Sequence, residues 1–179
     1  SVDDLQYFET RFFLVPGSGT VYVDAKLSVI RRRAVGDGFH EELTILNHAD
    51  EPVDLTVRLE AASDFADLFE VKDALEKKGR YSTRADGETL VLAYDRERFG
   101  RSTAISASEP ARVDRKGLTF AISIEPHDRW GTLLDVRTER LGSASGEQDE
   151  DAARRRPRMR RNLERWLAQA PRLECDWDA

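Results

Sequence analysis

Residues 27–73 read LSVIRRRAVGDGFHEELTILNHADEPVDLTVRLEAASDFADLFEVKD, and this stretch predicts three β-strands followed by a short acidic-aromatic segment. Gly36-Asp37-Gly38 separates residues 27–35 from 39–47, and two glycines free to take positive φ make a hairpin connection. Asn47-His48-Ala49-Asp50-Glu51-Pro52 supplies the next turn. After it, Val53, Leu55, Val57, Leu59 and Ala61 alternate with Asp54, Thr56, Arg58 and Glu60. That period of two describes a strand with one buried and one wet face.

The same grammar extends outward. Phe12, Leu14, Val21 and Val23 fall in short apolar runs around the turn cluster Pro16-Gly17-Ser18-Gly19. Residues 80–84 are predicted to pair with 89–94 across Ala85-Asp86-Gly87-Glu88, where Asp-Gly favours a tight turn. A strand over 102–108 ends at Glu109-Pro110. Leu118, Phe120, Ile122 and Ile124 alternate up to the turn at Pro126-His127-Asp128, and residues 130–140 form the last strand. Many short strands without intervening helices predict an all-β, antiparallel β-sandwich over 1–141. Residues 142–151, GSASGEQDED, read as a flexible linker. From 152 the period becomes helical, with Met159, Leu163, Trp166 and Leu167 on one face of an α-helix that stops before Pro171. Pro157 is expected in the first turn or at a kink.

Composition narrows the class. A chain of 179 residues buries enough surface to fold without metal or disulfide. Its single cysteine, Cys175, fits a reducing compartment and a cytoplasmic location. No apolar run approaches the ~18 residues of a membrane span, and Ser1 in place of a start methionine reads as a processed or cut terminus. The net charge of −6 argues against a nucleic-acid partner. It averages an acidic body with a tail rich in arginine, from Arg154 to Arg172.

Several segments in order are similar to the N-terminal domain of bacterial glycogen-debranching-type (amylo-α-1,6-glucosidase-like) proteins. They are Arg31-Arg32-Arg33-Ala34-Val35-Gly36-Asp37-Gly38, Leu43-Thr44-Ile45-Leu46-Asn47-His48 and the run from Asp64 to Val71. To these are added a basic turn at Phe99-Gly100-Arg101-Ser102, Gly117-Leu118-Thr119-Phe120, and the strand opening at Trp130. The tail, Trp166 and then Ala170-Pro171-Arg172-Leu173-Glu174, resembles the lead into the family's helical catalytic domain. The likeness covers residues 20–176. It implies a supersandwich-like accessory domain, opened in the family by further strands ahead of the part matched, so that Ser1 begins a shortened domain. It also implies a parent glycoside hydrolase whose (α/α) catalytic domain lies outside this chain.

No catalytic, cofactor or metal residue is predicted. Asp64, Asp67 and Glu70 invite a paired-carboxylate reading, since glycosidases use two carboxylates roughly 5–10 Å apart, but no tuning environment or partner base accompanies them. The plainer expectation has Asp64 and Asp67 ending a strand through Asx-type bonds while Phe65, Leu68 and Phe69 enter the core or a domain interface. Asp64, Asp67, Phe69 and Glu70 are therefore the candidate interdomain or sugar-contacting residues. Arg31 and Arg33 should point one way along a strand and Arg32 the other, giving ordinary solvated charge. The arginine tail reads as a connector helix with Leu163, Trp166 and Leu167 as its buried stripe. His40, His48 and His127 are scattered without metal-ligand spacing. The expected partner is the chain's own catalytic domain. An independent α-glucan-binding module and an interaction sandwich unrelated to sugars are the rival readings.

Overall fold

The computed structural model describes residues 2–16, 26–36, 38–75, 77–97, 99–140 and 152–169. The expected turn at 16–19, Val21, Val23, Asp37, the linker 142–151, the stop before Pro171 and Cys175 therefore lie, wholly or in part, outside the described residues. By internal contacts the chain divides into two compact units, Ser1–Ser143 and Ala144–Ala179.

The first unit is a two-layer antiparallel sandwich. Its larger sheet has eight strands in the order β1-β2-β3-β4-β11-β8-β7-β6. These are β1 (Val2–Gln6), β2 (Glu9–Leu14), β3 (Leu27–Val35), β4 (Phe39–Asn47), β6 (Arg80–Asp86), β7 (Thr89–Arg96), β8 (Phe99–Ala107) and β11 (Arg129–Arg140). The smaller sheet is β5 (Val53–Glu60), β10 (Gly117–Ile124) and β9 (Arg112–Asp114), in the order β5-β10-β9. A short helix, α1 (Leu68–Lys72), lies between β5 and β6.

The hairpin through Gly36 forms as expected, pairing Val35 with Phe39 through to Leu27 with Asn47. The second turn does something else. Instead of returning along β4, the chain crosses to the other layer, where β5 pairs over its full length with β10. Asn47 fixes that crossing. Its buried side-chain amide reaches the carbonyls of Glu51 (2.8 Å), Ile124 (3.1 Å) and Glu125 (3.2 Å), and its Oδ1 accepts from the Ala49 N–H at 3.0 Å.

The core lies between the sheets. Leu90, Leu92 and Leu134 from the large sheet meet Leu118 and Phe120 from the small one, with Trp130 5.2 Å from the Phe120 ring. Register puts Glu41, Leu43 and Ile45 of β4 on this same inner face, opposite Leu134, Thr132 and Trp130. The small sheet sets β9 against β6 and β7 and β10 against β11.

Three local expectations need correction. Phe99-Gly100-Arg101-Ser102 is not a turn but the first half of β8, paired with residues 93–96. The three shortest elements, β1, β9 and α1, are additional to the predicted ones. Arg31-Arg32-Arg33 is not simply solvated charge. Arg31 and Arg33 share the inner face with Glu41 because the hairpin register places them beside it. Their Nε atoms lie 2.5 and 2.6 Å from its two carboxylate oxygens, and Glu41 is only 1% exposed. Arg33 also covers the Phe12 ring at 5.0 Å. On the opposite face Arg32 pairs with Glu9.

The second unit contains α2 (Ala152–Gln169). Pro157 falls in its second turn rather than its first. Leu163 is half-buried while Trp166 and Leu167 are exposed, and the side chain of Met159 lies outside the described residues.

Candidate functional site

The segment that sequence reading singled out, Asp64 to Glu70, is built on a strained bend and a capped helix. Phe65 has φ +49°, a left-handed conformation costing a side-chain-bearing residue about 1–3 kcal/mol. Neighbouring groups hold it there. The Phe65 N–H donates to Ser63 Oγ (3.3 Å), the Ala66 N–H donates to Asp64 Oδ1 (3.0 Å), and the Tyr81 hydroxyl donates to the Asp64 carbonyl (2.9 Å). The bend delivers the Phe65 ring onto Tyr94, stacked at 5.8 Å with an interplanar angle of 25°. Tyr81 and Phe99 complete the cluster, 5.2 and 6.1 Å from Tyr94. Gly79 permits this packing, since a Cβ there would lie 2.4 Å from the Tyr94 ring.

Asp67 is the N-cap of α1. Its Oδ1 accepts from the N–H groups of Phe69 and Glu70, both at 2.9 Å, and Glu70 Oε2 accepts from the Asp67 N–H at 2.9 Å. This reciprocal capping box satisfies the donors a helix start leaves over. The Glu70 backbone N–H, above all, holds the Asp67 carboxyl below its ordinary range, with the Phe69 N–H adding to it. Glu70 is lowered chiefly by Lys77 and Lys77 is raised chiefly by Glu70, since their charged atoms are 2.6 Å apart. Lys77 Nζ also lies 5.0 Å from the centroid of the Tyr94 ring. Asp64 thus does make the expected Asx-type bond, but Asp67 opens a helix rather than ending a strand.

Burial divides the apolar residues of the segment. Phe65 packs against the core. Leu68 and Phe69 do not enter it: they are 76% and 68% exposed, and no residue of α1 is buried. Val71 and Leu75 continue the exposed apolar surface. Asp67 and Glu70 are committed to the cap and to Lys77, an arrangement that holds α1 in place and does not resemble an acid–base pair.

Two clefts border the bend. One, about 490 Å³, has Phe65, Tyr81 and Leu92 as its apolar part and Ser63, Thr83 and Lys116 among its polar groups. The other, about 500 Å³, lies between Ser63–Phe65 and Arg101, Thr103 and Thr138. Sequence reading found Asp64–Glu70 but missed Tyr81, Tyr94 and Lys77. The β6–β7 hairpin sets Tyr81 opposite Tyr94, but nothing in that hairpin shows that the Phe65 ring and Lys77 come to rest against Tyr94.

Elsewhere, His40 Nδ1 lies 2.6 Å from Asp135, His48 Nε2 2.8 Å from Ser28 Oγ and His127 Nε2 2.9 Å from Asp50. Among the described residues no three metal-ligating side chains converge, and no helix is long and apolar enough to cross a membrane.

Architecture and site together define an antiparallel β-sandwich domain that carries a capped, outward-facing helix beside an aromatic cluster. The chain belongs to the family described as the N-terminal domain of (some) glycogen debranching enzymes, whose model matches residues 1–135. The match takes in β1 and β2, ahead of the region the sequence resemblance covered, and ends before the tail. Comparison with curated protein sequences found no match. Among solved structures, the chain is similar to one assigned as a kojibiose phosphorylase from the human microbiome, with a TM-score of 0.52 and 11% identity. The likeness covers 90% of this chain and 21% of that one, so the chain spans about a fifth of its neighbour's length. At that identity the likeness is one of fold.

Proposed function

We propose that this chain is a non-catalytic accessory domain of a cytoplasmic, debranching-type glycoside hydrolase acting on α-glucans. In this reading it docks on the helical (α/α) catalytic domain of the same polypeptide and helps shape the substrate cleft. One observation carries the reading: α1 buries none of its residues, yet its geometry is fully determined. The capping box, Lys77 and the Phe65–Tyr94 stack hold it rigidly while Leu68, Phe69 and Val71 stand in solvent. Exposed apolar groups on a preorganised element are what a docking surface needs, because little ordering entropy remains to be lost on contact. The membership of an N-terminal debranching-enzyme family supports a partner domain later in the polypeptide.

The test is limited proteolysis of the longer polypeptide carrying this domain, with Leu68 and Phe69 replaced by Asp. The reading predicts faster cleavage within 142–151 and reduced glucan hydrolysis, with the isolated domain's melting temperature unchanged. Cleavage and activity both equal to the parent's would contradict it.

A further inference from the structure

The cleft between the Phe65 bend and β6 is separate from the outward surface of α1, and its lining has a composition of its own. Phe65 and Tyr81 give it two aromatic rings 6.4 Å apart, with Leu92 beneath them. Tyr81 is 47% exposed, and its orientation is fixed by the hydroxyl's bond to the Asp64 carbonyl. Around these apolar groups stand the hydroxyls of Ser63, Ser82 and Thr83, the carboxylate of Glu60 and the cationic groups of Arg115 and Lys116. Both signs of charge and several hydroxyls around aromatic faces suit a neutral polyol better than an ion. A pyranose offers that complement, with an apolar C–H face for a ring and a rim of hydroxyls for short polar side chains. The volume of about 490 Å³ falls within the roughly 300–1,000 Å³ of small-ligand clefts. Ser63 and Phe65 also line the second cleft, which favours a chain of sugars over a single one.

We propose that this cleft binds a run of α-linked glucose units, with Tyr81 and Phe65 as stacking faces and Ser63, Thr83, Glu60 and Lys116 as hydrogen-bonding groups. The choice of an α-glucan among sugars rests on the debranching-type reading above. The position of the site rests on the lining alone.

The experiment is a titration of the ¹⁵N-labelled chain with maltoheptaose, followed through backbone amide shifts, with sucrose as a control. Saturable shifts are expected at Ser63, Tyr81, Thr83 and Lys116, and smaller ones at residues 68–72. Tyr81→Ala should weaken the affinity about tenfold, Tyr81→Phe should weaken it less, and Lys116→Ala, on an exposed turn, should weaken it with the fold intact. Absence of saturable shifts would overturn the proposal, as would equal shifts with sucrose or an affinity indifferent to both Tyr81→Ala and Lys116→Ala. Failure of the docking reading has a different signature, since α1 would then gain no protection in the longer polypeptide whatever the sugar does.

Discussion

Lys77 reaches back to place its Nζ 2.6 Å from Glu70 Oε2, joining the polar side of α1 to the aromatic cluster below it. Lys77 is thus the tie between a helix with no buried residue and a sandwich whose core it never enters. Lys77→Met keeps most of the apolar stem but removes the charge. We expect faster amide exchange at Phe69 and Glu70, with global unfolding little changed, as measured by hydrogen exchange of the isolated chain.

Acid should loosen this region first. Asp67, Glu70 and Asp114 all have folded-state values below their ordinary 3.8, 4.5 and 3.8, with Asp114 brought to about 2 chiefly by its side-chain bonds to Arg58. A lowered carboxyl contributes stability that is fully present above its unfolded value and lost as pH falls through the folded one. The melting temperature should therefore hold down to about pH 4.5 and then decline towards pH 2. Glu70→Gln should flatten the upper part of that decline and Asp114→Asn the lower.

Glu41 is the least replaceable charge on the inner face. Glu41→Ala would leave Arg31 and Arg33, which now share its two oxygens, without a counter-charge. Removing one partner from a buried ion pair costs about 3–5 kcal/mol. The partial exposure of both arginines puts the expected loss near 3 kcal/mol, measurable by urea unfolding. The double variant Arg31→Met, Glu41→Met should recover part of it.

Gly117 pairs with Glu60 at the end of the β5–β10 ladder, where an added Cβ would lie 1.9 Å from the Leu59 carbonyl oxygen. The obstacle is backbone and cannot swing aside. Gly117→Ala should cost about 3 kcal/mol, whereas Gly87→Ala, with nothing within 4 Å of its Cβ, should show only the cost of its positive φ.

What the sequence disclosed and withheld follows from range. The strand over Val53–Glu60 was legible because alternation is a property of consecutive residues. The strand β10 was legible in the same way, but its pairing with β5 was not, because a pairing across roughly sixty positions leaves no local mark. The charged clamp could have been foreseen: the tight hairpin fixes Arg33 opposite Glu41 once Val35 faces Phe39. Helix α1 also left a sign, since Asp67 and Glu70 stand at capping-box spacing, but a single turn is too short to show helical periodicity. Apolarity alone placed Leu68 and Phe69 in the core or at a domain interface without choosing between them, and they stand outside the core. A projecting helix exposes such residues, and nothing in their own sequence says so.

Hydrogen exchange at residues 68–75, compared between this chain alone and the longer polypeptide that carries it, tests the docking claim most directly. The account predicts at least about tenfold slower exchange there in the longer protein, abolished by Phe69→Asp, with the β7 and β10 amides unaffected. Identical exchange in the two contexts would contradict it.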